Sequence, residues 1–179
     1  MQYCWPAKEL RNEFEVLASF YQLDVGHETF LCRNHAYIKR EGEQGRKSPD
    51  ALIIMANPGS CRPADSTYKA PTAKSNTNNI PYVPVDVDPT QYQLMRLMKI
   101  MDWEEISIIN LSDLCSGNMN DFKRKLKQVK DYGIKCHSIF SETRTREKMR
   151  HFKNHHLKVI LATKWRSNKF IINNHPRNN

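Results

Sequence analysis

The sequence has few of the features that define several common protein classes. Its five cysteines are spread along the chain without a Cys-x-x-Cys pair, which argues against a disulfide framework and for reduced thiols. No apolar run approaches the length of a membrane span, and the first ten residues, MQYCWPAKEL, contain no apolar segment of the signal-peptide type. We therefore expect a cytoplasmic protein that does not enter a membrane.

Motifs for common cofactors are also missing. The chain has no glycine-rich loop for phosphates and no zinc-deaminase signature. Cys32 and His35 have a spacing found among metal ligands, but no second pair of this kind follows them. The sequence therefore predicts neither a cofactor nor a bound metal.

Positive charge is the main compositional feature. Lys and Arg number 28 against 19 Asp and Glu, which gives a net charge of +9. Such a surplus favours polyanionic partners, nucleic acid first and an anionic membrane surface second. The alternative is a basic protein with scattered lysines. We expect a monomer that binds DNA.

Hydrophobic periodicity predicts alternating helices and strands. Helices are expected at 6–21, from Pro89 onward, at 119–132 and at 141–152, and strands at 30–39, 51–56, 105–111, 134–140, 157–163 and 169–172. Alternation of this kind is typical of an α/β fold with a mainly parallel sheet. We expect one domain over residues 1–179, a three-layer sandwich around a mostly parallel sheet of four or five strands.

Two segments have clearer local signals. The helix at Pro89 has Asp88 in the N-cap position and Gln91 where a capping-box partner belongs. By contrast, residues 60–88 show no regular pattern, and six of the nine prolines lie between Pro58 and Pro89. A loop of this length is either functional or a loose insertion, so a mobile lid and an unstructured insertion are both open.

Polar residues follow three of the predicted strands. They are Asn57-Pro58-Gly59, Asn110-Leu111-Ser112-Asp113 and His175-Pro176. In a parallel sheet, ligands bind beyond the carboxyl ends of the strands. We therefore expect these three segments to lie at one edge of the sheet and to form a site there.

The order of these motifs resembles the uracil-DNA glycosylase superfamily, in particular its mismatch-specific thymine/uracil-type branch. Asn57-Pro58-Gly59 is similar to the first motif, INLSDL at 109–114 to the segment that lines the base pocket, and His175-Pro176 to the last motif. The chain also resembles small bacterial proteins of undefined function that have Asn-Pro-(Ser/Gly) and a C-terminal His-Pro. Arg177 stands where the family usually has a small residue before its wedge.

The resemblance implies a DNA glycosylase that removes a modified, 5-substituted pyrimidine, in base excision or in attack on phage DNA. It assigns Asn57 to holding the water molecule that attacks the sugar carbon. His175 would donate a hydrogen bond to the oxygen of the departing base. Asp113, which directly follows a predicted strand, is the second candidate for a catalytic residue. Gly59 leaves open the space that a tyrosine closes in the strict uracil branch. The turn itself is a second explanation for this glycine.

Further residues are assigned to base contacts and to DNA. The predicted base pocket comprises Pro58, Gly59, Ser60, Asn110 and Ser112, with Tyr68 and Phe140 as stacking partners. The predicted phosphate contacts are Arg62, Lys69, Arg144, Arg146 and Arg177.

Three other functions are open from the sequence. A basic module that binds nucleic acid without chemistry would use the same residues. A metal-dependent nuclease is suggested by Ser48-Pro49-Asp50, although no (Asp/Glu)-x-Lys follows. A hydrolase of free nucleotides would not need the positive surface.

Overall fold

The computed structural model describes residues 5–42, 48–72 and 80–152, together with the backbone of residues 158–162. These residues form an α/β fold, as the sequence predicts. The helices are α1 (Ala7–Glu13), α2 (Pro89–Met101), α3 (Met119–Asp131) and α4 (Thr145–Phe152). The strands are β1 (Phe14–Val25), β2 (Glu28–Arg40), β3 (Ala51–Met55), β4 (Arg62–Pro63), β5 (Tyr82–Asp86), β6 (Glu105–Asn110) and β7 (Lys158–Ala162). No described helix has the length and apolar character needed to cross a membrane.

Within the described chain, the sheet has seven strands in the order β4-β5-β1-β2-β6-β3-β7. Only β6, β3 and β7 are parallel to one another, and every other neighbouring pair is antiparallel. The prediction of a mostly parallel sheet of four or five strands is therefore wrong. The long β1–β2 hairpin, which the sequence analysis missed, supplies most of the antiparallel pairing.

The predicted helix at 6–21 is also wrong beyond its first two turns. Helix α1 ends at Glu13, and the next twelve residues form β1. Alternate residues of β1, beginning with Phe14 and Val16, enter the core on one face of the sheet. The hairpin closes at Gly26, whose φ of 62° is readily adopted only by glycine.

Helices cover both faces of the sheet. Ala51 and Ile53 of β3 pack in the cluster that includes α1 and α2, whereas Leu52 and Ile54 pack with Ile139 on the other face. On β1, Phe20 belongs to the first cluster, and the adjacent Tyr21 belongs to a separate cluster with α3. The resulting layers place the N-termini of α2 and α3 beside the ends of β3 and β6.

Two predicted segments differ in detail. Residues 134–140 do not form a strand but a series of turns, with one isolated bridge between Ser112 and Ser138. The helix expected at 141–152 is a 3₁₀ turn at Glu142–Arg144 followed by α4, and Ser141 makes no side-chain cap. The strand predicted at 169–172 lies outside the described residues.

The stretch predicted to be irregular, 60–88, contains β4 and β5. β4 is the outermost strand, where Pro63 is tolerated because an outer strand need not donate every backbone hydrogen bond. Pro84 lies in β5, between β4 and β1, and its carbonyl accepts from Ala64 N at 2.9 Å. The capping box of α2 is confirmed: Gln91 N donates to Asp88 Oδ1 at 2.9 Å, and Asp88 N donates to Gln91 Oε1 at 2.9 Å.

Candidate active site at the carboxyl ends of the parallel strands

The ends of β3 and β6 remain paired beyond the strands themselves. Leu111 N donates to Met55 O at 2.8 Å, and Ser112 N donates to Ala56 O at 3.1 Å. Asn57 Nδ2 then donates to Ser116 O at 2.8 Å, which bridges the two loops. The structure thus brings Asn57 and the segment that contains Asp113 to the same edge of the sheet, whereas His175 lies outside the described residues.

The Asn57 amide has a defined orientation. Its NH₂ group is held by the Ser116 carbonyl, and no described residue bonds to its Oδ1. The side chain is partly exposed, while the following Pro58 is buried. Asn57 therefore presents a carbonyl oxygen as an acceptor, which suits it to hold the hydrogen of a water molecule.

Gly59 is required by the backbone. Its φ is 67°, and an added Cβ would lie 3.2 Å from Asp88 Oδ2. The turn and the close approach to the α2 cap account for this glycine by themselves. The tolerance for a 5-substituted base that the resemblance assigns to Gly59 stays a prediction.

The loop at 57–60 lies between two helix N-termini. Asp88 caps α2, and on the other side a Cβ on Gly117 would approach Ser60 Cβ to 3.1 Å. Asn118 caps α3 by accepting a hydrogen bond from Asn120 N at 2.8 Å. Helix N-termini carry partial positive charge, but a carboxylate already lies at each of these two, Asp88 at α2 and Asp121 in the first turn of α3.

Asp113 is not accessible from this edge. Its side chain is 0% exposed, and its Oδ2 accepts from Tyr21 Oη at 2.9 Å and from Arg144 Nη1 at 2.6 Å. Burial raises the pKa of this carboxyl group to about 7, although Arg144 and Tyr21 oppose the shift. The assignment of Asp113 as a catalytic acid is therefore incompatible with its position, because substrate has no path to it.

Arg144 is also internal, contrary to its predicted role as a phosphate contact. It is 2% exposed, and its Nε and Nη2 donate to the two oxygens of Glu147 at 2.9 and 2.7 Å. The guanidinium is thus held by the carboxylates of Asp113 and Glu147, with a longer contact to His137 O at 3.5 Å. The exposed phosphate candidates are Arg62, Lys69 and Arg146, and Arg177 lies outside the described residues.

The predicted base pocket separates into buried and exposed residues. Asn110 is fully buried and exchanges hydrogen bonds with Arg33, so it does not face a base. Ser112 is buried against His137, with its Oγ 3.0 Å from Nδ1. Tyr68 packs on the core, and its buried hydroxyl has no hydrogen-bond partner in the part of the chain that the structure describes. Ser60 and Phe140 are exposed.

Sequence reasoning missed Arg33. Its side chain is 1% exposed, and its Nε has no hydrogen-bond partner among the described residues. It lies in the middle of β2, beside Asn110 at the end of β6, and its backbone N donates to Asp113 O at 2.8 Å. The feature of the sequence that could have revealed Arg33 is its position among the alternating apolar residues of β2. A charged side chain that is buried there requires a specific partner.

A second polar cluster lies where β2, β5 and α4 meet. His35 Nε2 is 2.7 Å from Ser107 Oγ, its Nδ1 is 2.8 Å from Tyr82 Oη, and its ring stacks on His151 at 4.8 Å. Burial, followed by the proximity of His151, lowers the pKa of His35 well below its usual value. Burial likewise lowers the pKa of His151.

These histidines predict an acid-sensitive fold. A histidine whose pKa is lower in the folded state binds fewer protons than in the unfolded chain, so stability is lost as pH falls below about 6.5. We expect the melting temperature to decrease from pH 7 to pH 5 by more in the native protein than in His35→Gln. Equal decreases in the two proteins would contradict this role of His35.

The described residues contain no group of three or more His, Cys, Asp or Glu side chains that could hold a metal ion. The comparisons with known proteins complete the description: no family model, curated protein or solved structure matches the chain. The function therefore has to be inferred from the site itself.

Proposed function

We propose that the protein is a DNA glycosylase that hydrolyses the N-glycosidic bond of a modified pyrimidine and leaves an abasic site. The observation that carries the proposal is Asn57: a partly exposed amide at the end of β3, held by Ser116 so that its oxygen is free. The proposed relationship to the uracil-DNA glycosylase superfamily concerns the parallel strands β6, β3 and β7. The antiparallel β1–β2 hairpin belongs to the other half of the same sheet, where β2 is the neighbour of β6.

In the proposed reaction, the bond between C1′ of the sugar and the base nitrogen breaks with its electron pair on the base. The oxygen of a water molecule, held by Asn57 Oδ1, bonds to C1′. The proton that the water loses neutralises the departing base. Asn57 orients the water but cannot take its proton, so the reaction requires a base that leaves readily.

Stabilisation of the departing base is the second requirement. Negative charge that collects on the base oxygen needs a preorganised donor. The N-termini of α2 and α3 already carry Asp88 and Asp121, so the donor has to be a side chain, and His175 is the proposed donor from the resemblance. The substrate is best sought with duplex and single-stranded oligonucleotides that carry different 5-substituted pyrimidines, followed by alkali to cleave abasic sites.

A non-catalytic DNA-binding module is the second candidate function. The observation that favours it is the ion pair of Asp113 and Arg144, which leaves Asn57 without an accessible carboxylate beside it among the predicted site residues. In that case oligonucleotides would be bound but no abasic site would appear with any base.

Both functions predict binding that depends on salt. The logarithm of the binding constant should fall linearly with the logarithm of salt concentration, with a slope of about −0.9 for each phosphate neutralised on duplex DNA. The measurement is fluorescence anisotropy with a labelled duplex over a salt series. A binding constant that is independent of salt would remove DNA as the partner.

A further inference from the structure

A groove separate from the Asn57 loop lies between the C-terminal half of α3 and residues 134–141. Its volume is about 510 Å³, within the range of about 300–1,000 Å³ that is typical of small-molecule sites. Leu126, Val129 and Ile134 form its apolar wall. Residues 57–60 do not line it, so a ligand in this groove is distinct from the group that Asn57 contacts.

The rim of the groove carries an exposed aromatic ring and positive charge. Phe140 is 69% exposed, more than any other described large hydrophobic side chain. Lys130 and Lys135 also line the groove, and neither makes an ion pair among the described residues. An aromatic face beside free ammonium groups is the combination that binds a base and its phosphate.

The last carbonyls of α3 are hydrogen-bonded to backbone N–H groups. The carbonyl of Lys130 accepts from Gly133 N at 3.0 Å, and that of Val129 accepts from Ile134 N at 2.8 Å. These last carbonyls are therefore already occupied. Glu142 lines an adjoining cavity and supplies one carboxylate against the two lysines.

His137 adds a polar contact inside the groove. Its Nδ1 pairs with Ser112 Oγ, and burial lowers its pKa, so the ring is neutral near pH 7. When Ser112 donates to Nδ1, the proton of the ring is on Nε2, which becomes a donor for a base carbonyl. Through Ser112, whose backbone N donates to Ala56 O, the groove is connected to the loop that holds Asn57.

We propose that this groove is a second nucleotide site, which binds a nucleotide of the DNA strand beside the one at Asn57. The base stacks on Phe140, and Lys130 and Lys135 bind the adjacent phosphates. The choice of a DNA strand as occupant rests on the proposed function, whereas the chemistry of the groove requires only a base that carries phosphate.

The test measures binding of a short single-stranded oligothymidylate and of an abasic oligonucleotide of equal length, which has the phosphates without bases. Phe140→Ala should weaken oligothymidylate binding by about tenfold, because stacking on an aromatic side chain is sequence-tolerant and strong. The same variant should bind the abasic strand as the native protein does. Lys135→Gln should weaken binding to both strands and reduce the steepness of the salt dependence by about 0.7.

Matched controls distinguish the groove from the rest of the surface. Phe152→Ala removes another exposed phenylalanine, on α4, and Lys8→Gln removes a lysine from α1 on the opposite face of the sheet. Neither should change binding beyond twofold. The proposal is overturned if Phe140→Ala binds oligothymidylate normally, or if it loses as much affinity for the abasic strand.

Failure of the second site and failure of the glycosylase proposal have different signatures. Asn57→Ala should bind the oligothymidylate normally whatever its effect on cleavage. If Phe140→Ala binds normally while Asn57→Ala abolishes cleavage, only the groove is misassigned. If the groove variants behave as expected and no modified base is released, the groove stands and the catalytic proposal is wrong.

Discussion

Asn57→Ala is expected to lower single-turnover release of the base by about 10²-fold or more, the effect of losing one preorganised polar group at a reacting centre. The substitution removes the oxygen that we propose holds the water, and also the hydrogen bond to Ser116. Binding of the DNA should change little, because most of the affinity comes from contacts with phosphates elsewhere. The measurement is strand cleavage after alkali, with the protein in excess over the DNA.

The control is Asn12→Ala, which makes the same change on the exposed surface of α1. It should leave both cleavage and binding unchanged. If Asn57→Ala cleaves at the native rate, Asn57 is not catalytic, and Asp113 does not replace it because its side chain is fully buried. The non-catalytic binding module would then be the better interpretation of the basic surface.

Arg144→Met is expected to cost about 3–5 kcal/mol of unfolding free energy, because it leaves buried carboxylates without their partner. Arg144 is the shared partner of Asp113 and Glu147, and all three side chains are almost fully buried. Methionine has similar length and keeps much of the packing. The free energy is measured by urea unfolding at neutral pH.

The loss of stability in Arg144→Met should depend on pH, because Asp113 titrates near neutral pH in the folded protein. The pKa of Asp113 is raised to about 7 in the folded protein from an ordinary value near 3.8. Between these values the folded state binds more protons than the unfolded state, so the contribution of Asp113 to stability falls as pH rises. Arg144→Met should therefore be more destabilising at pH 8, where the carboxylate is ionised, than at pH 5.

A double substitution serves as the control. Asp113→Asn in the Arg144→Met background replaces the charged carboxylate by a neutral amide that still reaches Tyr21. It should recover part of the lost stability and weaken the difference between pH 5 and pH 8. A loss in Arg144→Met that is the same at both pH values would show that packing, and not the Asp113 charge, determines the cost.

The local features of α2, β3 and β6 could be predicted from the sequence. Asp88, Pro89 and Gln91 satisfy the first backbone groups of α2 by themselves, so this helix begins where the residues indicate. The apolar runs of β3 and β6 are too short for a helix and are followed by turn-forming residues. The placement of Asn57 and Ser112 at one edge follows from the parallel pairing of these two strands.

The β1 strand could not be predicted in the same way. Phe14, Leu17 and Tyr21 match a helical period, whereas Phe14, Val16 and Ala18 match the period of a strand. Such a segment is ambiguous locally, and the long antiparallel pairing with β2 decides it. That pairing also changed the sheet from mostly parallel to mostly antiparallel.

The sequence by itself determined the α/β class, the start of α2 and, to within one residue, the ends of β3 and β6, because short-range hydrogen bonding and periodicity are enough for these features. Only the tertiary structure decided that Asp113 and Arg144 neutralise each other in the interior and that Asn110 is paired with Arg33. Residues 31 and 77 positions apart along the chain meet in these contacts. Burial and charge compensation at such distances depend on the packing of the sheet against α4 and the loops, and a local pattern does not contain them.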